Sequence, residues 1–497
     1  MESSSTFLKP KYYLFFIILF SLIIRCYDLS SNGLWFDESI SFNIAKLEIS
    51  KILKNEVRSC HPPLYYLFLH FWIDLFSDND FTARILSILW NILLIPAVFI
   101  LSNKLFKSYK VSFFSTFLIA ISPFHIEFSK ELRMYTQVMF FTTTVAVSYL
   151  NAINYSNLKY WSVFLFISLL AIYTHYFSVF FLVGLFFFTI FEEKSKKNII
   201  RITLCGSILF LLYLPWIFLV LGQSDYAEGS FRPLFEQRLS YASIIGPMVN
   251  LVFLLFGRIT NKYYFFTSFF IVLYLIVFMT IYLLFRCYNS FKIDFSQKFS
   301  IYCIFFIFVP PSIFYFIFKM YFPVQSIAIA SPFFLIFFCS FIRFNSKVFA
   351  FLITITIFVS LAGSFFFLPK IIKNKSFDLE IVKLVKLHYM TDDIILHTDD
   401  FSYFPFMRYF NLPNHARLIS DDARLLLPEA SYSAINGTLW DIKKLENLNG
   451  RLWLIVYGKK SSKWQQIQLK YFLANFELID LHLIGGCSIY LFNLNRN

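Results

Sequence analysis

Apolar stretches long enough to cross a bilayer recur along most of this chain, and they constrain its fold more than any other feature. A transmembrane helix needs about 20 predominantly apolar residues. Runs near that length lie at 12–29, 82–103, 111–124, 132–153, 160–174, 176–191, 202–221, 263–285, 299–318, 325–342 and 348–368. Those at 111–124, 160–174 and 176–191 are short, as tilted or broken spans would be. Of the 497 residues, 58% are hydrophobic and only 15% charged. A water-soluble domain has about 25% charged residues; a water-surrounded core cannot absorb the difference, whereas lipid can. The reading is an α-helical polytopic membrane protein with about eleven transmembrane helices. The first run follows Lys9 and Lys11, and no small-residue cleavage site comes after it, so it reads as a retained signal anchor.

Short-loop Lys and Arg residues set orientation. With the N-terminus in the cytoplasm, the inner loops carry Lys104, Lys107 and Lys110, then Lys159, then Lys194, Lys196, Lys197 and Arg201. Later inner loops carry Arg286, Lys292 and Lys298, then Arg343 and Lys347. This pattern accounts for much of the formal charge of +14 and points to anionic lipid headgroups, not nucleic acid. The apolar segment 241–256 would reverse every later loop if it spanned, so it reads as interfacial or re-entrant. The seven cysteines show no CxxC spacing, which leaves a zinc site of that type unsupported.

Two regions are not membrane-like. The first outer loop, 30–80, mixes polar and aromatic residues, and 370–497 has the polarity of a folded soluble domain. Within the latter, Asp393–His397, Arg451–Tyr457 and Ser488–Phe492 read as strands and 462–476 as an amphipathic helix, with a Gly485-Gly486 turn before the last strand. The division is a transmembrane module, 1–369, and a small C-terminal α/β extracytoplasmic domain, 370–497.

Three clusters hold the side chains suited to chemistry. Trp35-Phe36-Asp37-Glu38 places adjacent carboxylates just past the first span. A carboxylate there can act as general base or hold a metal; it equally suits the first turn of an interfacial helix. His61-Pro62-Pro63-Leu64-Tyr65-Tyr66 sets a His and two Tyr on a rigid turn, or simply starts a helix with interfacial tyrosines. Ser122-Pro-Phe-His125-Ile-Glu127 runs on through Lys130, Glu131, Arg133 and Tyr135. Ionisable groups at a membrane boundary are costly and tend to be functional. Helix-end snorkelling covers Lys130. It covers Glu131, Arg133 and Tyr135 less well, because these continue into an apolar helix on which 131 and 135 share a face. The Arg133 fork suits phosphate. Tyr173-Thr174-His175-Tyr176 is a supporting cluster, and Arg232 in the loop 222–262 is a weaker one.

In this order the motifs resemble the GT-C-type membrane glycosyltransferases, in the family 39-like group related to protein mannosyltransferases and the aminoarabinose lipid A transferase. The resemblance rests on Trp35-Phe-Asp37-Glu38, His61-Pro-Pro-Leu-Tyr-Tyr, Phe81-Thr-Ala-Arg84-Ile-Leu-Ser, and Ser122-Pro-Phe-His through Glu131-Leu-Arg133-Met-Tyr135, within about the first 150 residues. It implies a polyprenyl-phosphate-linked sugar donor and an outward-facing cavity, with the loop-one acid at Asp37. One position departs: Gln325, before Ser331-Pro332, stands where relatives often have Arg.

The expected function is inverting transfer of the sugar to a lipid, glycan or protein acceptor at the outer face of the inner (plasma) membrane, in modification of the cell envelope. Asp37 is the expected base, with Glu38 positioning it. Arg133, Tyr135, His61 and Arg84 are expected on the phosphate, with Glu131, Tyr65 and His175 in support. No cofactor is expected, although a divalent metal beside Asp37, Glu38 and Glu131 is chemically compatible. A polytopic lipid or sugar transporter would place charges midway along its helices, and a non-catalytic scaffold with a binding domain would not need the loop-one acids. The loop charges generate one test. A reporter fused after Asn374 should be active if it is an alkaline phosphatase and silent if it needs the cytoplasm; the reverse pattern would mean a miscounted helix.

Overall fold

A computed structural model describes residues 10–57, 61–223, 293–317, 328–344, 347–410, 412–419, 429–441, 449–458 and 463–494. The run at 263–285, the segment 241–256, Arg232 and Gln325 lie outside the described residues. In chain order, the helices to residue 221 are α1 (Pro10–Cys26), α2 (Phe36–Ala45), α3 (Ile49–Leu53), α4 (Leu64–Leu75), α5 (Asp80–Phe106), α6 (Tyr109–Ile121), α7 (Pro123–Lys130), α8 (Tyr135–Tyr155), α9 (Leu158–Thr174), α10 (Ser178–Phe188) and α11 (Lys196–Leu221). After them come α12 (Phe295–Ile317), α13 (Ser331–Ser340), α14 (Lys347–Ala362), α15 (Leu368–Lys375), α16 (Leu379–His388), α17 (Asp400–Tyr409), α18 (Glu429–Ala434) and α19 (Lys463–Asn475). The strands are β1 (Ile394–His397), β2 (His415–Ile419), β3 (Leu439–Asp441), β4 (Arg451–Tyr457), β5 (Glu477–Ile484) and β6 (Cys487–Asn493).

The described residues fall into two compact units. One draws on Met1–Leu29, Arg84–Phe218 and Leu234–Ile372, the other on Ser30–Ala83, Leu219–Pro233 and Lys373–Asn497.

The first unit is helical. Among the described residues, α5 and α11 are long and apolar enough to cross a membrane, and the bent pair α6–α7 makes a third candidate. Shorter apolar helices cover Tyr12–Cys26, Leu158–Thr174, Phe295–Ile307, Ala328–Arg343 and Phe349–Phe365. Local chemistry sets the turns. Ser156 closes α8 at φ +48°, and the Asn157 side chain then caps α9 by accepting from Lys159 N at 3.1 Å, so α8 folds back along α9. Close helix contact sets the packing elsewhere. A Cβ added at Gly184 of α10 would lie 3.0 Å from Phe306 Cβ on α12, tighter than nearly all real contacts. That approach lets Phe187 stack on Phe306 with ring centroids 5.0 Å apart.

The second unit contains a six-stranded sheet of order β3-β2-β1-β4-β6-β5. The β3-β2-β1-β4 neighbours are parallel, and β6 and β5 add on antiparallel. Central strands covered on both faces need apolar residues at successive positions. Accordingly Ile394, Leu396, Leu452 and Leu454 face one layer with Phe472 of α19, while Ile395, Trp453 and Ile455 face the other with Val385 of α16. Gly485 and Gly486 join β5 to β6 at φ +58° and +83°, values that favour glycine. The strands expected at Asp393–His397, Arg451–Tyr457 and Ser488–Phe492 correspond to β1, β4 and β6, and the expected helix to α19. The sequence reading did not anticipate β2, β3 and β5. In β2 the polar His415 and Arg417 are buried, which masks an apolar strand signal.

Residues 30–83 belong to this same unit. The Gly33 N–H donates to Phe377 O at 3.2 Å, and a Cβ there would come within 2.9 Å of that carbonyl. Leu34 N donates to the Tyr409 hydroxyl at 2.6 Å. Phe36 packs on Phe401 at 5.1 Å between ring centroids. The Arg408 guanidinium lies 4.0 Å from the Phe42 ring centroid and 3.3 Å from the Asp80 carboxylate. Helix α2 is thereby seated on α17.

Beneath α17 lies a sealed polar cluster. Arg417 donates to Asp400 at 2.9 Å with both side chains buried, and the Tyr432 hydroxyl adds to the same carboxylate. His397 and His415 sit 4.9 Å apart among Tyr403 and Phe406. Burial pushes the His415 imidazole down to about 3. Burial, then His415 and Arg417, hold His397 well below its usual range. Both rings therefore stay neutral in the folded unit and take up protons when unfolded, at an ordinary value of about 6.5. Stability should be intact above that pH and fall below it, by up to about 1.4 kcal/mol per group per pH unit. Thermal melts from pH 8 to pH 5 should show this acid loss, and His415→Phe should reduce its steepness; an unchanged slope would remove His415 as a cause.

Candidate active site

The expected site residues fall in both units. In the second unit, the extended Trp35 (φ −81°, ψ 176°) starts α2 and puts Asp37 and Glu38 in its first turn. Carboxylates there face the unpaired N–H groups and the positive end of the helix. Glu38 uses that position: it is 2% exposed, and its Oε2 accepts from Trp35 N at 3.2 Å. The Asp37 backbone carbonyl accepts from Ser41 Oγ at 2.9 Å, while its side chain is half-buried. His61 stands half-buried before Pro62 and Pro63, where α4 starts. Tyr65 and Tyr66 follow on α4, both buried, with ring centroids 5.9 Å apart.

In the first unit, Arg84, Glu131, Arg133, Tyr135 and His175 are all buried or nearly so. The sequence reading carried Glu131 and Arg133 into the helix of 132–153, and the structure corrects this. Glu131 is extended (φ −89°, ψ 136°) and caps α7, and α8 begins only at Tyr135. Residues 131–134 are a tight turn in which Arg133 N donates to Glu131 O at 2.8 Å. Glu131 and Tyr135 therefore share no helix face.

The turn brings three expected residues together. The Arg133 guanidinium lies 5.8 Å from the Tyr135 ring centroid, and the Tyr135 and His175 rings are 6.4 Å apart. His175 stacks on Tyr176 at 4.6 Å. A fixed guanidinium beside a phenol and an imidazole is a donor set suited to a phosphate dianion. The turn is held from α5: Ser87 Oγ lies 3.4 Å from Arg133 O, and Thr136 Oγ1 donates to Ser87 O at 2.9 Å. Arg84 donates to Leu29 O at 2.8 Å, tying the end of α1. The sequence reading passed over Arg25, Asn91 and Ser364, and held Ser87 only as the last residue of the Phe81–Ser87 motif. Of these, Arg25 carried a signal, as a single cation in an apolar run. Among the described residues, no three His, Cys, Asp or Glu side chains converge into a metal-binding group.

Residues 60–218 match the family model described as dolichyl-phosphate-mannose-protein mannosyltransferase. No curated protein matches the sequence significantly. ArnT from Cupriavidus metallidurans superposes with a TM-score of 0.50 at 10% identity, over 97% of this chain and 98% of that one; its complex with undecaprenyl phosphate gives 0.46 at 9% identity, over the same 97% and 98%. The Pmt1-Pmt2 protein O-mannosyltransferase complex of S. cerevisiae gives 0.35 at 18% identity, over 46% of this chain and 36% of that one. The Archaeoglobus fulgidus oligosaccharyltransferase gives 0.47 at 11% identity, over 97% and 74%. The chain shares its fold with ArnT, a GT-C-type structure. The family 39-like resemblance is borne out, with residues 60–218 carrying the mannosyltransferase-family match.

The capping geometry sets one expectation for stability. Glu38→Ala removes the acceptor for Trp35 N–H and should destabilise by about 1 kcal/mol, whereas Glu38→Gln keeps a carbonyl oxygen in place. Denaturation of the two variants should rank Ala below Gln; equal loss would mean that the carboxylate charge matters and the cap does not.

Proposed function

We propose that the protein is an inverting glycosyltransferase that moves a sugar from a polyprenyl-phosphate donor to a lipid, glycan or protein acceptor at the outer face of the inner membrane. The observation that carries this reading is the buried Arg133, Tyr135 and His175 cluster on a chain of GT-C fold. The undecaprenyl phosphate bound by ArnT is a ligand of the proposed chemistry. In the proposed topology the chain crosses the membrane about eleven times, with a cytoplasmic N-terminus and with 370–497 outside.

The transfer has two requirements. The acceptor hydroxyl must lose its proton as its oxygen bonds to the anomeric carbon. The bond from that carbon to the phosphate oxygen breaks, and its electron pair stays on the phosphate. Asp37 takes the proton. Its half-buried position in the first turn of α2 leaves the carboxylate reachable. Glu38, fixed by the Trp35 N–H, holds the turn that carries Asp37. Arg133 stabilises the growing phosphate charge, assisted by Tyr135, His175 and His61. Supporting roles fall to Glu131, which caps α7 at the Arg133 turn, to Arg84, which holds Leu29 O, and to Tyr65 of α4, which follows His61. A single displacement of this kind inverts the anomeric centre.

The experiment supplies purified protein with labelled polyprenyl-phosphate sugars and a panel of acceptors, and scores release of polyprenyl phosphate. Asp37→Asn should lower turnover by about 10²–10⁴-fold with folded protein retained. Arg133→Ala should weaken donor engagement more than acceptor engagement. Arg133→Lys should restore it only in part, because a point charge replaces the fork. Movement of intact lipid-linked sugar without release would establish a transporter. Activity of Asp37→Asn within a few-fold of wild type would remove Asp37 as the base.

A further inference from the structure

The break between α6 and α7 leaves carbonyls without helical donors. The last such bond of α6 runs from Ser122 N to Leu118 O at 2.9 Å. Ile119 O loses its donor because Pro123 has no N–H, and the 53° bend turns α7 away from Ala120 and Ile121. Each carbonyl has a side-chain donor instead. Arg25 Nη2 reaches Ile119 O at 3.2 Å, Arg25 Nη1 reaches Ala120 O at 2.8 Å, and Ser364 Oγ reaches Ile121 O at 2.8 Å. Arg25 Nε donates to Asn91 Oδ1 at 2.9 Å, and both side chains are fully buried.

The arrangement connects the break to the Arg133 turn. Arg84, Ser87 and Asn91 recur at helical spacing on α5 and form one stripe. Asn91 holds Arg25 at the start of α7, and Ser87 contacts the Arg133 carbonyl after its end. Lys130, the last residue of α7, donates to Tyr27 O beyond α1 at 2.7 Å. Helix α7 is thus fixed at both ends, first by Arg25 and then by Lys130 and Ser87.

We propose that Arg25 is a positioning residue for donor binding: by completing the broken end of α6 it sets the direction of α7 and so the placement of Arg133. The proposal rests on the reading of Arg133 as the donor phosphate's partner. A guanidinium is required because its fork serves the Ser21, Ile119 and Ala120 carbonyls and the Asn91 amide oxygen together, four acceptors against the three donors of an ammonium.

The test uses the full chain in detergent with undecaprenyl phosphate as probe. Affinity is measured for wild type, Arg25→Lys, Arg133→Ala and the double variant, alongside amide hydrogen exchange across 119–136. Arg133→Ala should weaken binding by about tenfold or more, the loss typical of a charge-assisted hydrogen bond. Arg25→Lys should weaken it several-fold and raise exchange within 119–134. The double variant should bind like Arg133→Ala alone, because Arg25 acts only through Arg133. Ser364→Ala, a milder loss at the same break, should raise exchange over the same residues and weaken binding in the same direction. Additive losses in the double variant, or wild-type affinity in Arg25→Lys, would overturn the proposal. If Arg133→Ala binds like wild type, the donor reading of Arg133 fails. Exchange then decides the remaining claim: a local rise in Arg25→Lys upholds its hold on α7, and an unchanged profile overturns that as well.

Discussion

A backbone carbonyl without a donor in an apolar environment costs about 1–3 kcal/mol, and the end of α6 would present three of them together. The structure meets this requirement with side chains from elsewhere in the sequence, Arg25 and Ser364. Much of the first unit's local geometry follows. Once α6 is completed where it breaks, α7 can leave at an angle, the 131–134 turn can form before α8, and Arg133 can lie beside Tyr135 and His175. An uninterrupted helix through 122–135 would need none of these supports, but it would make no turn.

The second unit uses buried polarity differently. Its Arg417–Asp400 pair and the Asp393 carboxylate, which accepts from Arg451 and from Trp453 Nε1, are closed within the protein. Breaking a buried pair costs more than the pair contributes relative to an apolar replacement. These groups therefore act mainly to select one arrangement of β1, β2 and α17. The surface they shape is where α2, with Asp37 and Glu38, is seated.

Helix type was legible wherever a residue run obeyed one environment. The apolar runs within the described residues became helices, and β1 and β4 announced themselves by uninterrupted apolar residues. The pattern failed where polar residues were buried with partners distant in sequence. In β2, His415 and Arg417 hid a strand. At Glu131 and Arg133, the chain left the helix because Ser87 and the α6 break held it, and neither influence is visible in residues 122–135. The side chains proposed for chemistry were legible as clusters, since Asp37, Glu38, Arg133 and Tyr135 each stand in a compact motif. The supporting residues were not, because Asn91 and Ser364 are unremarkable in their own segments and act only through the fold.

The seat of α2 has a bearing on biogenesis. Gly33, Leu34, Phe36 and Phe42 find their partners at Phe377, Phe401, Arg408 and Tyr409. Those partners are synthesised some 350 residues later, and at about 5–20 residues per second the delay is on the order of tens of seconds. Through that interval the segment with Asp37 has emerged without the surface that orders it, its phenylalanines uncovered. A nascent chain would thus hold the acid loop unfinished until its last quarter had been made, and a chain cut short before α17 would carry Asp37 on a helix supported by α4 alone, without its seat on α17.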